Sequence, residues 1–243
     1  MRLHRRFAKL FGYDLLHIKR RHPSLEAHLS VLFEQIEINL VLDVGANTGQ
    51  YATLLRENGY KGNIISFEPV ARNLAVLEIK AGKDPLWHIC PYGLGASNQF
   101  LDINVTQLST FSSFLTPNEY AGQLFTADTP IESIEKVEVK RLDAVYDDLC
   151  SVINEDVVVP YLKMDTQGYD LEVLKGCQNI IEEIEAFQSE ISLIPLYENM
   201  PDHIEALKYF QKLGFSLTGM YQVTRDRSNQ LLVEMECVMR KNA

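Results

Sequence analysis

Four acids stand where apolar runs of this chain end: Asp43, Glu68, Asp165 and Glu190. A carboxylate in such a place can accept a hydrogen bond from a hydroxyl, balance a cationic amine or take up a proton. The first acid is followed by Gly45 and Gly49, within Val41-Leu-Asp-Val-Gly-Ala-Asn-Thr-Gly-Gln-Tyr51. Glycines at this spacing allow a tight turn and bring backbone N–H groups close to a ligand. The stretch reads as a buried strand, a turn and a helix start. Gly45, Ala46, Asn47, Gly49 and Tyr51 are placed to meet a small molecule there.

The other residues narrow the ligand. Glu68 follows Gly49 by 19 residues and, with Pro69, closes the next apolar run. An acid so placed suits a ribose. A dinucleotide site would carry a middle glycine where this chain has Asn47. Asp43, two residues before Gly45, would repel a pyrophosphate and suits a cationic amino group. S-adenosyl-L-methionine has a ribose, an amino-acid end and no phosphate, so it is the expected cofactor. The turn Gly93-Leu94-Gly95 is expected to form the wall beside its adenine.

Methyl transfer from a sulfonium is an in-line displacement, and a hydroxyl acceptor must lose its proton as the new bond forms. Asp165 is the first candidate for that base. It also suits a divalent metal that polarises the hydroxyl, or the cap of the helix that follows. Glu190 is the second candidate. Lys163 is expected to pair with an acid, Ser112 and Ser113 to line the acceptor pocket, and His88 to sit in the core.

The elements that must position these groups follow from periodicity. Apolar spacing of three and four predicts helices over residues 25–36, 71–80, 143–149 and 168–184, with a weak point at Gly176. Ser24 is a plausible cap for the first. Further helices start at Gly49 and Pro201. Short apolar runs predict strands from residue 40 and at 63–67, 86–91, 157–164 and 186–191, with two closing strands at 215–220 and 231–239 joined by a polar turn. The implied fold is α/β, Rossmann-like and doubly wound. Its sheet is mostly parallel and seven-stranded, with an antiparallel last strand. Residues 96–141 interrupt the rhythm with alternating segments and read as a β-rich insertion on the acceptor side.

With these motifs in place, the chain resembles the FkbM family of class I S-adenosylmethionine-dependent methyltransferases. The likeness is carried by Asp43-x-Gly45-x-Asn47-x-Gly49, Ser66-Phe-Glu-Pro69, Ser112-Ser113, Lys140-Arg-Leu-Asp143, Leu162-Lys-Met-Asp-Thr-Gln-Gly168, Glu172-Val-Leu-Lys-Gly176 and Glu190. It runs from about residue 40 to the C-terminus. It implies O-methylation of a hydroxyl on a sugar, glycan or polyketide-like natural product. One departure stands out: the family commonly has Asp-x-Glu-Gly where this chain has Asp165-Thr-Gln167-Gly168, which leaves two alternatives open, a natural-product O/N-methyltransferase and a non-catalytic S-adenosylmethionine-binding module.

Composition agrees with one large domain. The chain has 243 residues, 46% hydrophobic and 23% charged, with a net charge of −10. Residues 1–22 hold seven basic residues against Asp14, a local charge of +6 that leaves −16 on the rest. The acidic body argues against nucleic acid as a partner. The basic arm, with Leu3, Phe7, Leu10, Phe11, Leu15 and Ile18 on one face, reads as a solvated helical extension or as a surface for peripheral contact with an anionic membrane or a negatively charged partner. Residues 1–30 are expected to form this helical arm and 31–243 the methyltransferase domain. Cys90, Cys150, Cys177 and Cys237 lack C-x-x-C spacing. Reduced thiols and a cytoplasmic setting are expected. The acceptor is expected to be a small molecule or glycan.

Overall fold

The computed structural model describes residues 7–13, 22, 24–125, 130–153 and 155–242. Half of the expected arm, residues 1–6, 14–21 and 23, lies outside these residues. Within it, residues 7–10 form a helical turn on which Phe7, Leu10 and Phe11 are exposed.

The first long element is α1 (Leu25–Ile36), and the Ser24 hydroxyl accepts from the Ala27 N–H at 3.3 Å to cap it. Leu29, Leu32 and Phe33 pack with Val41, Tyr161 and Val238 beneath the sheet, so α1 belongs to the core and runs across residue 30. The α/β units are β1 (Leu40–Val44), α2 (Gln50–Glu57), β2 (Asn63–Phe67), α3 (Ala71–Ala81) and β3 (Trp87–Cys90). All residues of β1 and β2 are buried, as continuous apolar runs in a covered parallel sheet must be.

A short β4 (Gly93–Leu94), β5 (Gln99–Thr106) and β6 (Ile131–Lys140) form a separate sheet in the order β4-β6-β5, with α4 (Glu119–Leu124) between β5 and β6. Gly93 and Leu94 were expected in a turn. They form a strand because they pair in parallel with Val139 and Lys140. The main fold resumes with α5 (Leu142–Ser151), β7 (Pro160–Met164), α6 (Asp170–Lys175), β8 (Ala186–Ser192), α7 (His203–Lys212), β9 (Phe215–Arg225) and β10 (Leu232–Lys241).

The main sheet has the order β3-β2-β1-β7-β8-β10-β9. Its neighbours from β3 to β8 are parallel, and β10 runs antiparallel to both β8 and β9. This is the expected seven-stranded α/β fold with a small second sheet. Three details differ from the sequence reading. The helix expected over 168–184 is only α6, because Gly176 packs against Gly95, where a Cβ would lie 2.2 Å from the Gly95 carbonyl oxygen. The predicted turn after residue 220 is instead a continuation of β9, an edge strand whose outward face tolerates polar residues. His88 is half-buried, since β3 is the opposite edge of the sheet.

Candidate active site

β1 lies between β2 and β7, so the C-terminal ends of these three strands meet around one opening, where ligands of such sheets bind. A cleft of about 610 Å³ lies there. It is lined by Gly45, Ala46, Asn47, Tyr51, Glu68, Pro69, Gly93, Leu94, Asp165 and Glu190, which the sequence singles out. Gly49 and Asp43 are not among its lining residues.

One half of the cleft is built by backbone. Gly45, Asn47 and Gly49 have φ of 75°, 50° and 79°. A Cβ on Gly45 would lie 2.2 Å from the Asp165 carbonyl oxygen, and one on Gly49 would lie 2.8 Å from the Trp87 ring. Glycine is required at both by conformation and by close approach. The Asn47 N–H donates to Glu68 Oε2 at 2.8 Å. Glu68 Oε1 accepts from the Val70 N–H at 2.9 Å and from Asn73 Nδ2 at 3.2 Å. Burial pushes the Glu68 carboxyl up from its ordinary value, and these donors oppose the shift. A carboxylate has about four acceptor sites. Three are taken, which leaves place for one further donor from a ligand. The Ser109 hydroxyl donates to Asn47 Oδ1 at 2.9 Å and joins the insertion to the glycine turn.

Asp43 lies under the floor, 0% exposed. Its Oδ2 accepts from the Ser66 hydroxyl at 3.1 Å and its Oδ1 lies 3.0 Å from Lys163 Nζ. Its charge is therefore already met by the protein. Lys163 also donates to the Gly45 carbonyl at 3.3 Å and stands 3.6 Å from Asp165 Oδ2. Burial alone would lower the Lys163 pKa, but Asp43 and Asp165 together hold it above its ordinary value. Lys163 thus carries its charge and ties the turn to Asp165.

The other half is built by side chains from β7, β8 and β10. Asp165 is 42% exposed at the side chain and does not cap α6, which begins at Asp170. Asp170 is the acid that braces that loop: it accepts from the Thr166 N–H at 3.0 Å and the Ser189 hydroxyl at 2.6 Å. Glu190 lies directly across the strand pair from Glu236, and like charges so placed repel. Burial, then Asp165, Glu234 and Glu236, push the Glu190 carboxyl well up. Burial and Asp165 raise Glu236 to about 8, against the pull of Lys163. Burial raises Glu234 to about 7, with a hydrogen bond from Thr224 opposing.

Glu234 and Glu236 were missed by the sequence reading. Their signal is the alternation Leu232-Val-Glu-Met-Glu-Cys237, two acids on one face of an otherwise apolar strand. Gln188 was missed too: its Oε1 accepts from the Tyr51 and Tyr161 hydroxyls at 2.6 and 3.0 Å, and its Nε2 donates to Glu236. Ser112 and Ser113 both line the cleft. Among the described residues, no group of three or more His, Cys, Asp or Glu is arranged to hold a metal ion.

The glycine turn, the strand-end acid Glu68 and Asp165 thus share one cleft of a Rossmann-like sheet. The residues fit S-adenosylmethionine: the turn carries no pyrophosphate-type middle glycine, and the buried Glu68 accepts three hydrogen bonds and has room for one more donor. The methyltransferase FkbM domain matches residues 43–217, more than half of the chain. The protein belongs to the FkbM methyltransferase family.

Among solved structures, the chain is similar to the methyltransferase FkbM of Methylobacillus flagellatus KT, at 16% identity and a TM-score of 0.48, over 83% of this chain and 44% of that one. It is also similar to an rRNA methylase of Streptococcus thermophilus, at 11% identity and a TM-score of 0.46, over 91% and 99% of the two chains. A third is LepI in complex with SAM, at 12% identity and a TM-score of 0.43, over 97% and 57%. The chain thus spans less than half the length of the FkbM structure. No curated protein matches it.

Proposed function

We propose that the protein transfers a methyl group from S-adenosylmethionine to a hydroxyl of a sugar or glycan. One observation carries the reading: a single cleft holds a strand-end acid suited to ribose, Glu68, and an exposed carboxylate, Asp165, on the strands flanking the glycine turn. When bound, the cofactor supplies an electrophilic methyl carbon. Glu68 accepts from a ribose hydroxyl, and the N–H groups and small side chains of residues 45–47 line the amino-acid end. Pro69, Gly93 and Leu94 flank the base, while Asp43 acts through Lys163. At the other end Asp165 takes the acceptor proton, with Glu190 beside it. Ser112 and Ser113 offer hydrogen bonds to a polyhydroxyl acceptor.

Calorimetry with S-adenosylmethionine tests the cofactor half. Glu68→Ala is expected to weaken binding about tenfold to a hundredfold, the size of a charged hydrogen bond of roughly 1.5–3 kcal/mol. Unchanged affinity would remove the ribose assignment. A panel of glycan acceptors tests the other half.

A second reading is favoured by Glu190, Glu234 and Glu236 on one wall: a small natural product bearing an amine, methylated on oxygen or nitrogen. Amine-containing acceptors in the same panel separate the two. The same wall disfavours nucleic acid, whose phosphates it would repel. Among the described residues, no helix is long and apolar enough to cross a membrane. Exposed Phe7, Leu10, Phe11 and Tyr13 in a segment of charge +6 support peripheral contact with an anionic bilayer at the cytoplasmic face. Flotation with vesicles rich in anionic lipid, with and without residues 1–22, tests this; equal recovery would remove it.

A further inference from the structure

Gln167, between the two candidate acids in space, has φ 53°, an uncommon conformation for a long side chain. Its Nε2 lies 2.9 Å from Asp165 Oδ1 and 2.9 Å from Glu190 Oε2. Its Oε1 accepts from the Tyr197 hydroxyl at 2.8 Å, and its backbone carbonyl accepts from the Ser113 hydroxyl at 2.8 Å. An amide nitrogen has two N–H donors. Here both are committed, one to each carboxylate. Reversing the amide would aim its oxygen at two acids, so Tyr197 and the acids together fix its orientation.

The charges around this pair explain why such a donor matters. Glu190 faces Asp165 on the β7 loop, Glu234 and Glu236 on β10 and Asp170 on α6. The nearby cation, Lys163, is shared between Asp43 and Asp165. In that field a buried carboxylate keeps its proton unless hydrogen bonds favour the charged form. A neutral amide supplies them without adding another charge.

We propose that Gln167 is a positioning residue for the transfer reaction: its amide joins Asp165 and Glu190 into one proton-accepting unit turned toward the acceptor end of the cleft. The proposal rests on the transfer reaction proposed above and on Asp165 as its base. It gives a role to the position where this chain departs from the family's commonly found glutamate.

The test is the isosteric Gln167→Glu, which replaces two donors by a third carboxylate, together with Tyr197→Phe, which removes the hydroxyl that orients the amide and with it a longer bond to the Phe111 carbonyl. Two readouts are needed. The first is the carboxyl-carbon NMR titration of Glu190 in the ligand-free protein. The second is the pH dependence of kcat with a working acceptor. In Gln167→Glu the Glu190 midpoint is expected to rise by about one unit or more, because such groups titrate as a coupled set. The rising limb of kcat should move up with it. At neutral pH kcat should fall about tenfold, while the dissociation constant for S-adenosylmethionine stays within twofold. Tyr197→Phe should shift both readouts the same way by less.

An unmoved Glu190 titration in both variants would overturn the proposal, as would loss of kcat with an unchanged pH profile. If the wild-type protein failed to bind S-adenosylmethionine, the proposed function would fall, while the titration would still report on Gln167.

Discussion

The two halves of the cleft are made from different material. Around Gly45–Gly49 and Glu68 the geometry is set by backbone: positive φ, close approach and N–H groups that hold a carboxylate. Around Asp165, Glu190, Glu234 and Glu236 it is set by side chains that crowd carboxyl groups onto one wall, from the buried Glu234 and Glu236 to the exposed Asp165. A backbone-built site suits a ligand that never changes. A side-chain-built site can be retuned residue by residue without altering the fold, which suits the acceptor role proposed for this half. Gln167 and Gln188 are the neutral pieces that make the charged half tolerable, since each places an amide against an acid.

The sharpest way to break the backbone half is Gly45→Ala. It combines a positive φ with a Cβ 2.2 Å from a carbonyl oxygen, and should cost on the order of 3 kcal/mol. Denaturant unfolding measures the loss, and S-adenosylmethionine binding should vanish with it. A near-neutral result would show that the turn is not held as described. On the side-chain half, Asp165→Asn should leave stability and cofactor affinity close to wild type while lowering kcat about a hundredfold to ten-thousandfold. If kcat survives and only the acceptor KM rises, Asp165 binds rather than takes a proton.

A further effect follows from the raised carboxyls. Glu236 titrates near 8 and Glu234 near 7 when folded, against about 4.3 for a free glutamate. Between these limits the folded state holds more protons than the unfolded state. Stability is therefore present in full below about pH 4 and is lost as pH rises through 7 and 8. The melting temperature of the ligand-free protein should fall from pH 5 to pH 8, and Glu236→Gln should flatten that slope. An unchanged slope would mean that the wall is better solvated than its burial indicates.

The same contrast governs what the sequence made legible. β1 and β2 are short, mostly apolar runs followed by glycine or acid, so strand, turn and ligand class can be read from adjacent residues. Glu68 is visible because a strand and a turn fix its distance from Gly49. Glu190 and Glu236 become neighbours only because β10 inserts between β8 and β9, a pairing that no local pattern announces. Asp43 illustrates another limit. Its position beside the turn suggests contact with a ligand, but Lys163 arrives from a strand far along the chain and occupies it. The break at Gly176 was visible as a weak point, while its cause, the Gly95 carbonyl, lies in a distant loop.

The two halves touch at Gly45 and again through the Tyr51–Gln188 hydrogen bond. Gly45 faces the carbonyl of Asp165, and Lys163 reaches both the Gly45 carbonyl and the Asp165 carboxylate. Free energies measured at these three positions are not separable quantities. In a double-mutant cycle, Lys163→Met and Asp165→Asn should show an interaction energy of about 1 kcal/mol or more. Glu68→Ala and Glu236→Gln, one on each half with no shared partner, should simply add. The boundary between the proposed cofactor and acceptor ends is thus a thermodynamic one, drawn where Gly45, Lys163 and Asp165 meet.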